Sequence, residues 1–285
     1  QPCDPTWVTE PGQAGFTSGY MGAVAMYQGK LFSGGSFNGL AGDPTLNYLA
    51  QYDFGTNTWS QVGSGIDMGT SNAFVAAMLE YDFGNGPELV VAGSFFEAGG
   101  VEGTKSLAAW NGTTWRNLGT DFNPTGPFAE WSLAEWNGNL YIGGGFTTVA
   151  GQPAFGVAEW NGTQWRAISS DIQPVAASPV VFELFVHDDG TGEKLYAGGR
   201  FTTLDAAGPM LARWNGTTWE SVGTTLQGRT VNSDIQEMVT FDDGTGPALY
   251  IGGYDMRFPD GTRFNVAKWD GSNWTAVGPY LAGRV

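Results

Sequence analysis

The chain has 285 residues, with twelve Lys and Arg against 28 Asp and Glu and a formal net charge of −16. That balance leaves no basic patch to neutralise phosphates, which speaks against nucleic acid or anionic lipid as a partner. A single Cys and a single His exclude an internal disulfide framework, a cysteine metal cluster, a His-rich zinc site and a Cys–His dyad. No apolar run approaches the ~18–20 residues of a membrane span. Forty-five glycines fall at periodic turn positions rather than in low-complexity tracts, and 40 aromatic residues (12 Trp, 10 Tyr, 18 Phe) supply core material for a folded, β-rich chain. The start at Gln1, with neither Met nor an apolar signal segment, is expected of a mature secreted protein after signal removal. Cys3 is expected to be a free or buried thiol, with pairing to another chain as the alternative.

In chain order, residues 5–8 (PTWV) come first and match the last strand of each later unit. A hairpin follows at 52–59 (YDFGTNTW), and then again at 110–115 (WNGTTW), 160–165 (WNGTQW), 214–219 (WNGTTW) and 269–274 (WDGSNW). Self-similarity at a period of about 50 residues is the signature of a repeat architecture. A second motif keeps the same period: 31–35 (LFSGG), 89–93 (LVVAG), 140–144 (LYIGG), 195–199 (LYAGG) and 249–253 (LYIGG). Glycines paired within a strand mark close backbone approach or a bend.

The unit at 181–223 shows the strands. An apolar β-rich run at 181–186 is followed by a turn at 187–192 and a second strand from 194. A third strand at 211–214 leads through Asn215-Gly216, expected to supply the positive φ of a tight hairpin, into a fourth at 218–223. No segment carries a long 3.6-residue apolar period. Four antiparallel strands per unit and five units (8–59, 60–115, 116–165, 166–219, 220–274) predict one all-β domain over 1–285. This domain is a five-bladed β-propeller of four-stranded antiparallel blades. Residues 1–7 are expected to close the ring as an extra strand beside Trp274, or alternatively to form a cap.

The pattern LYAGGxFTT…LARWNGTTWxxVG, best carried by residues 198–203 and 211–223, resembles repeats of large secreted bacterial proteins of the planctomycete type. It is also similar to kelch-like and galactose-oxidase-central-domain propellers and to repeats of fungal cell-surface proteins. The likeness implies a secreted or cell-surface location and no particular chemistry. The copper ligands of galactose oxidase have no counterpart here.

Catalytic motifs such as HExxH, GxSxG and the phosphate-binding loop are absent. His187 shares its column with Tyr27, Tyr81, Trp136 and Phe241, so a packed structural role is expected. The acidic turns at 188–190, 242–244 and 81–84 read first as turn chemistry and second as weak Ca²⁺ sites, because they lack the spaced ligands and closing Glu of a calcium loop. No other cofactor is expected. Four sequons, at Asn111, Asn161, Asn215 and Asn273, mark surface turns.

Function is sought where the repeats break their own rule. The first-strand column of Ala23, Ala77 and Ser132 continues as Glu183 and Glu237; the one before it holds Gly22, Ala76, Trp131, Phe182 and Gln236. Units three to five thus carry Glu130, Trp131, Glu183, Arg200, Asp234, Gln236, Glu237 and Tyr254 where the others mostly carry small residues. Innermost strands line the axial channel of a propeller, where ligands bind. Unpartnered buried carboxylates cost several kcal/mol, so a salt bridge from Arg200 to Glu183 or Glu237 is expected. Trp131 and Tyr254 offer stacking surfaces for a sugar ring. The leading reading is a secreted, non-catalytic binding, adhesion or surface-assembly module, with a glycan or another surface protein as partner and self-assembly as an option. A glycosidase or lyase is the second reading, using two carboxylates ~5–9 Å apart. A lectin with one site per unit is the third, disfavoured because the repeated tryptophans read as core.

Overall fold

Each repeat folds as one antiparallel sheet, because β-branched and aromatic residues alternate between turns that Gly, Asn and Asp can close. The computed structural model describes residues 15–67, 69, 74–119, 122, 131–173, 179–223, 226–228 and 233–281. Sheet I comprises Met21–Tyr27, Lys30–Gly35, Leu49–Asp53 and Thr58–Gln61. Sheet II comprises Phe74–Asp82, Pro87–Ser94, Leu107–Trp110 and Trp115–Asn117. Trp131–Trp136, Asn139–Gly144, Val157–Trp160 and Trp165–Ala167 form sheet III. Sheet IV is Val180–Asp188, Glu193–Arg200, Leu211–Trp214 and Trp219–Ser221. Sheet V is Asp234–Asp242, Pro247–Arg257, Arg263–Trp269 and Trp274–Ala276, with Gln227–Gly228 added beside its second strand. Among the described residues the only helical segment is a three-residue 3₁₀ turn at Leu40–Gly42, and no helix is long and apolar enough to cross a membrane.

The recurring hairpin differs from the tight turn expected of Asn-Gly. Trp110 pairs directly with Trp115 across a four-residue loop, and there Gly112 has positive φ while Asn111 does not. The Asn111 Oδ1 instead accepts from the backbone N–H groups of Thr113 and Thr114 at 2.9 and 2.8 Å. An Asx turn therefore takes the place of a second left-handed residue.

Successive sheets are joined by a repeated contact. Gly198 of sheet IV receives Ile235 and Met238 of sheet V, and a Cβ there would lie 2.8 Å from the Ile235 Cγ2. Gly34 receives Val75 and Met78 in the same way, and Gly143 receives Val181 and Leu184. Apolar neighbours complete each cup: Phe32 and Leu49, Tyr141 and Val157, and Tyr196 and Leu211, all buried. In sheet II the cup is Val90, Ala92 and Leu107, against which Leu133 packs. The tryptophans lock the same junctions. The indole N–H groups of Trp115, Trp165, Trp219 and Trp274 donate to the carbonyls of Val62, Leu118, Ile168 and Val222, each on the preceding sheet. Trp115, Trp165 and Trp219 are core, as the sequence indicated, and Trp274 is half-buried.

The junction between sheets V and I is open, whereas the sequence predicts a closed ring. Gly252 has no side chain from another sheet against it, and its would-be partners Met21 and Val24 are 48% and 66% exposed. Val277, the counterpart of buried Val222, is 40% exposed, and Phe241 is 56% exposed. The closing strand expected at residues 1–7 lies outside the described residues. Sheet V draws its four repeat strands entirely from residues 234–276.

Candidate functional site

The first strands of sheets I, II, IV and V each carry a β-bulge, between Met21 and Ala23, Val75 and Ala77, Val181 and Glu183, and Ile235 and Glu237. One extra residue there turns a side chain off the ladder. The second glycine of each pair is required by this geometry: at Gly199 a Cβ would lie 2.1 Å from the Val180 carbonyl oxygen, and at Gly253 2.0 Å from that of Asp234. The bulge residues Gly22, Ala76, Phe182 and Gln236, with Trp131 of sheet III, all face one cavity of about 500 Å³. Tyr20, Phe74, Val180, Arg200 and Glu237 complete its wall, so all five sheets contribute.

Four of the eight sequence candidates are therefore brought together: Trp131, Arg200, Gln236 and Glu237. Trp131 is buried, stacks on Phe146 at 5.7 Å between ring centroids, and has an indole N–H without an acceptor among the described residues. The Arg200 guanidinium lies 5.5 Å from the Phe182 ring centroid. The expected salt bridge to Glu183 or Glu237 is not formed. Arg116, Arg166, Arg213 and Arg263 each hold a carboxylate, whereas Arg200 holds none among the described residues.

Glu183 lies beside the cavity wall rather than on it. One carboxyl oxygen is buried without a hydrogen-bond partner. Burial first, and the Glu237 charge second, push its pKa up to about 8, against the opposing pull of the Met238 backbone N–H. Gln236 donates to buried Asp234 at 3.3 Å, which places Asp234 behind the wall. Tyr254 pairs with Asp234 across the ladder and is not among the residues that line the cavity. Glu130 lies outside the described residues. Tyr20, Phe74, Val180 and Phe182 are wall residues that column-breaking does not single out, because apolar side chains at strand positions look like ordinary core.

The elevated Glu183 carboxyl carries a stability prediction. The folded protein holds a proton between about pH 4.5 and 8 that the unfolded chain releases, so stability falls as pH rises through that window and the cost is complete above it. Glu183→Gln removes the ionisation. Relative to the parent it gains roughly 2–4 kcal/mol at pH 9 and little at pH 4. Urea denaturation at both pH values checks this, and parallel curves for parent and variant would refute it.

Other expected features also find their places. His187 is buried, with its Nδ1 2.8 Å from the Thr240 hydroxyl of sheet V, and burial holds its pKa down. In the acidic turns, Asp82, Asp188 and Asp242 each accept from two backbone N–H groups. Asp189 and Asp243 pair with Arg213 and Lys268. Among the described residues no three His, Cys, Asp or Glu side chains are grouped as for a metal ion.

Comparison with protein-family models finds no match, and comparison with curated proteins finds no relative.

Proposed function

We propose that the five sheets are the blades of a closed five-bladed β-propeller, and that the chain is a secreted or cell-surface, non-catalytic binding module that takes a glycan into its axial cavity. One observation carries the reading: the column in which the repeats break their rule is the column that faces the cavity. That column carries Gly, Ala, Trp, Phe and Gln in turn, so its side chains are released from the packing demands of the repeat and are turned toward the cavity instead. Aromatic walls from Tyr20, Phe74, Trp131 and Phe182 suit the apolar faces of sugar rings, and Gln236 and Glu237 suit their hydroxyls. The likeness to secreted bacterial repeat proteins supports the location.

Hydrolysis or elimination is the second reading, favoured by the Glu183 carboxyl, whose pKa burial pushes up, standing close to Glu237. Against it, Glu183 does not line the cavity. The lectin with one site per blade has no platform, since Trp115, Trp165 and Trp219 are buried.

A panel of neutral and acidic oligosaccharides, measured by calorimetry, tests the proposal. Saturable binding to one site per chain is expected, with Trp131→Ala weakening it at least about tenfold, roughly 1.4 kcal/mol. Absence of binding across the panel would overturn it. Turnover that disappears in both Glu183→Gln and Glu237→Gln would replace it with the enzyme.

A further inference from the structure

Among the described residues two arginines, Arg200 and Arg257, hold no carboxylate in a chain with more than twice as many acidic as basic residues, and of the two Arg200 lines the cavity. Arg116, Arg166, Arg213 and Arg263 are each engaged by Glu or Asp. Arg200 lines the cavity with Glu237 on the same wall, and the two do not pair. Its position follows from the fold, because Arg200 ends the second strand of sheet IV opposite Val180, beside the bulge that aims Phe182 into the cavity. The Phe182 ring supports the guanidinium from one side and makes no hydrogen bond to it, so the N–H groups of its fork keep their donor capacity.

Two further features describe what those donors meet. The indole N–H of Trp131, across the cavity, is buried and has no acceptor among the described residues. Trp160, Trp269 and Arg257 likewise keep a buried N–H without an acceptor among the described residues, and of these residues Trp131 is the one that lines this cavity. The polar contribution of the wall is thus the Arg200 guanidinium, the Trp131 indole N–H, the Gln236 amide and the Glu237 carboxyl, set among aromatic faces.

We infer that the cavity is selective for an acidic sugar, a uronic acid unit whose carboxylate is bound by Arg200 while its ring lies against the aromatic wall. The inference rests on the glycan-binding reading above and adds the charge of the ligand. Planar bidentate recognition suits guanidinium and carboxylate. The net charge of −16 repels an anion at long range, so affinity for the acidic ligand is expected to rise as added salt screens that repulsion before the short Arg200 contact is weakened.

The test uses the full chain with a trigalacturonate probe and a neutral trisaccharide of the same linkage, measured by calorimetry at two salt concentrations. The acidic probe is expected to bind at least about tenfold more tightly, a gain typical of a charge-assisted bidentate contact. Arg200→Met should abolish that preference, so that the acidic and neutral probes bind within about twofold of each other. Arg200→Lys should keep part of it, which separates loss of charge from loss of fold. Thermal midpoints matching the parent show that both variants are folded. Equal affinity for the two probes, or a preference that survives Arg200→Met, overturns the inference and leaves the glycan reading standing. Binding of neither probe nor of any other sugar overturns both.

Discussion

Trp219→Ala is expected to lower the unfolding free energy by about 3–5 kcal/mol, among the largest single losses available in this chain. The residue is 5% exposed and its ring lies 5.4 Å from that of Trp214. It also belongs to the cluster of Ile168, Val181, Leu184 and Ala212 that joins sheets III and IV. Its indole N–H donates to the Ile168 carbonyl at 2.9 Å across that junction. Truncation therefore opens a cavity and leaves a buried carbonyl short of a donor, two costs that add. Trp219→Phe keeps most of the volume and loses the hydrogen bond, so a loss of about 1–2 kcal/mol is expected. Urea denaturation of the three proteins measures both. Near-equal stability of Trp219→Ala and the parent would show that the tryptophan repeat is not the lock between sheets.

The second large effect concerns the open junction. Four junctions use one device, in which apolar side chains of a first strand enter a cup on the preceding sheet. At the fifth, the cup of Tyr250, Gly252 and Val266 is only partly covered, and Met21 and Val24 stand exposed. Bare complementary faces of this kind are covered in a stable fold. The proposed ring brings Met21 onto Gly252 as Val75 meets Gly34 and Ile235 meets Gly198. At those two junctions a glycine Cβ would lie 2.9 and 3.4 Å from the partner Cβ, close to the span of a disulfide. Met21→Cys with Gly252→Cys, in a Cys3→Ser background, is therefore expected to form a disulfide within one chain under mild oxidation. It should stabilise the protein by up to about 4–5 kcal/mol on the chain-entropy account of so long a loop. Non-reducing electrophoresis and light scattering read the result. A disulfide between chains would assign these faces to self-assembly instead, and the absence of any disulfide would mean that sheets V and I do not meet.

Strand order and turn positions were legible because they depend on local chemistry. The unit read from residues 181–223 appears with its four strands in place as Val180–Asp188, Glu193–Arg200, Leu211–Trp214 and Trp219–Ser221. The paired glycines indicated close backbone approach, and it is found at Gly198 from the neighbouring sheet and at Gly199 from the bulged strand. The turn at Asn215-Gly216 was misread: Asn215 is not left-handed, and its side-chain oxygen closes the loop by accepting from the Thr217 and Thr218 N–H groups.

The candidate site was half legible. Comparing repeats finds Trp131, Arg200, Gln236 and Glu237, because a column that changes its chemistry is released from the demands of the repeat. It does not tell a cavity-facing side chain from one behind the wall, and so it placed Asp234 and Tyr254 in the site and left out Tyr20 and Phe74. That distinction turns on a bulge of one residue, which reverses the facing of a strand and leaves no mark in composition.

By itself the sequence determined that the chain is all-β, that four antiparallel strands recur five times, and that tryptophans such as Trp115, Trp165 and Trp219 are core. Those properties follow from side-chain period, turn chemistry and repetition, all of which act over a few residues. Only the tertiary structure decided that Arg200 holds no carboxylate among the described residues, that Glu183 is held close to Glu237 with one carboxyl oxygen buried, and that Met21 and Val24 at the junction of sheets V and I are left exposed. Each depends on which groups from distant segments share a desolvated space, where Coulomb and burial terms act through distance in the fold rather than distance along the chain.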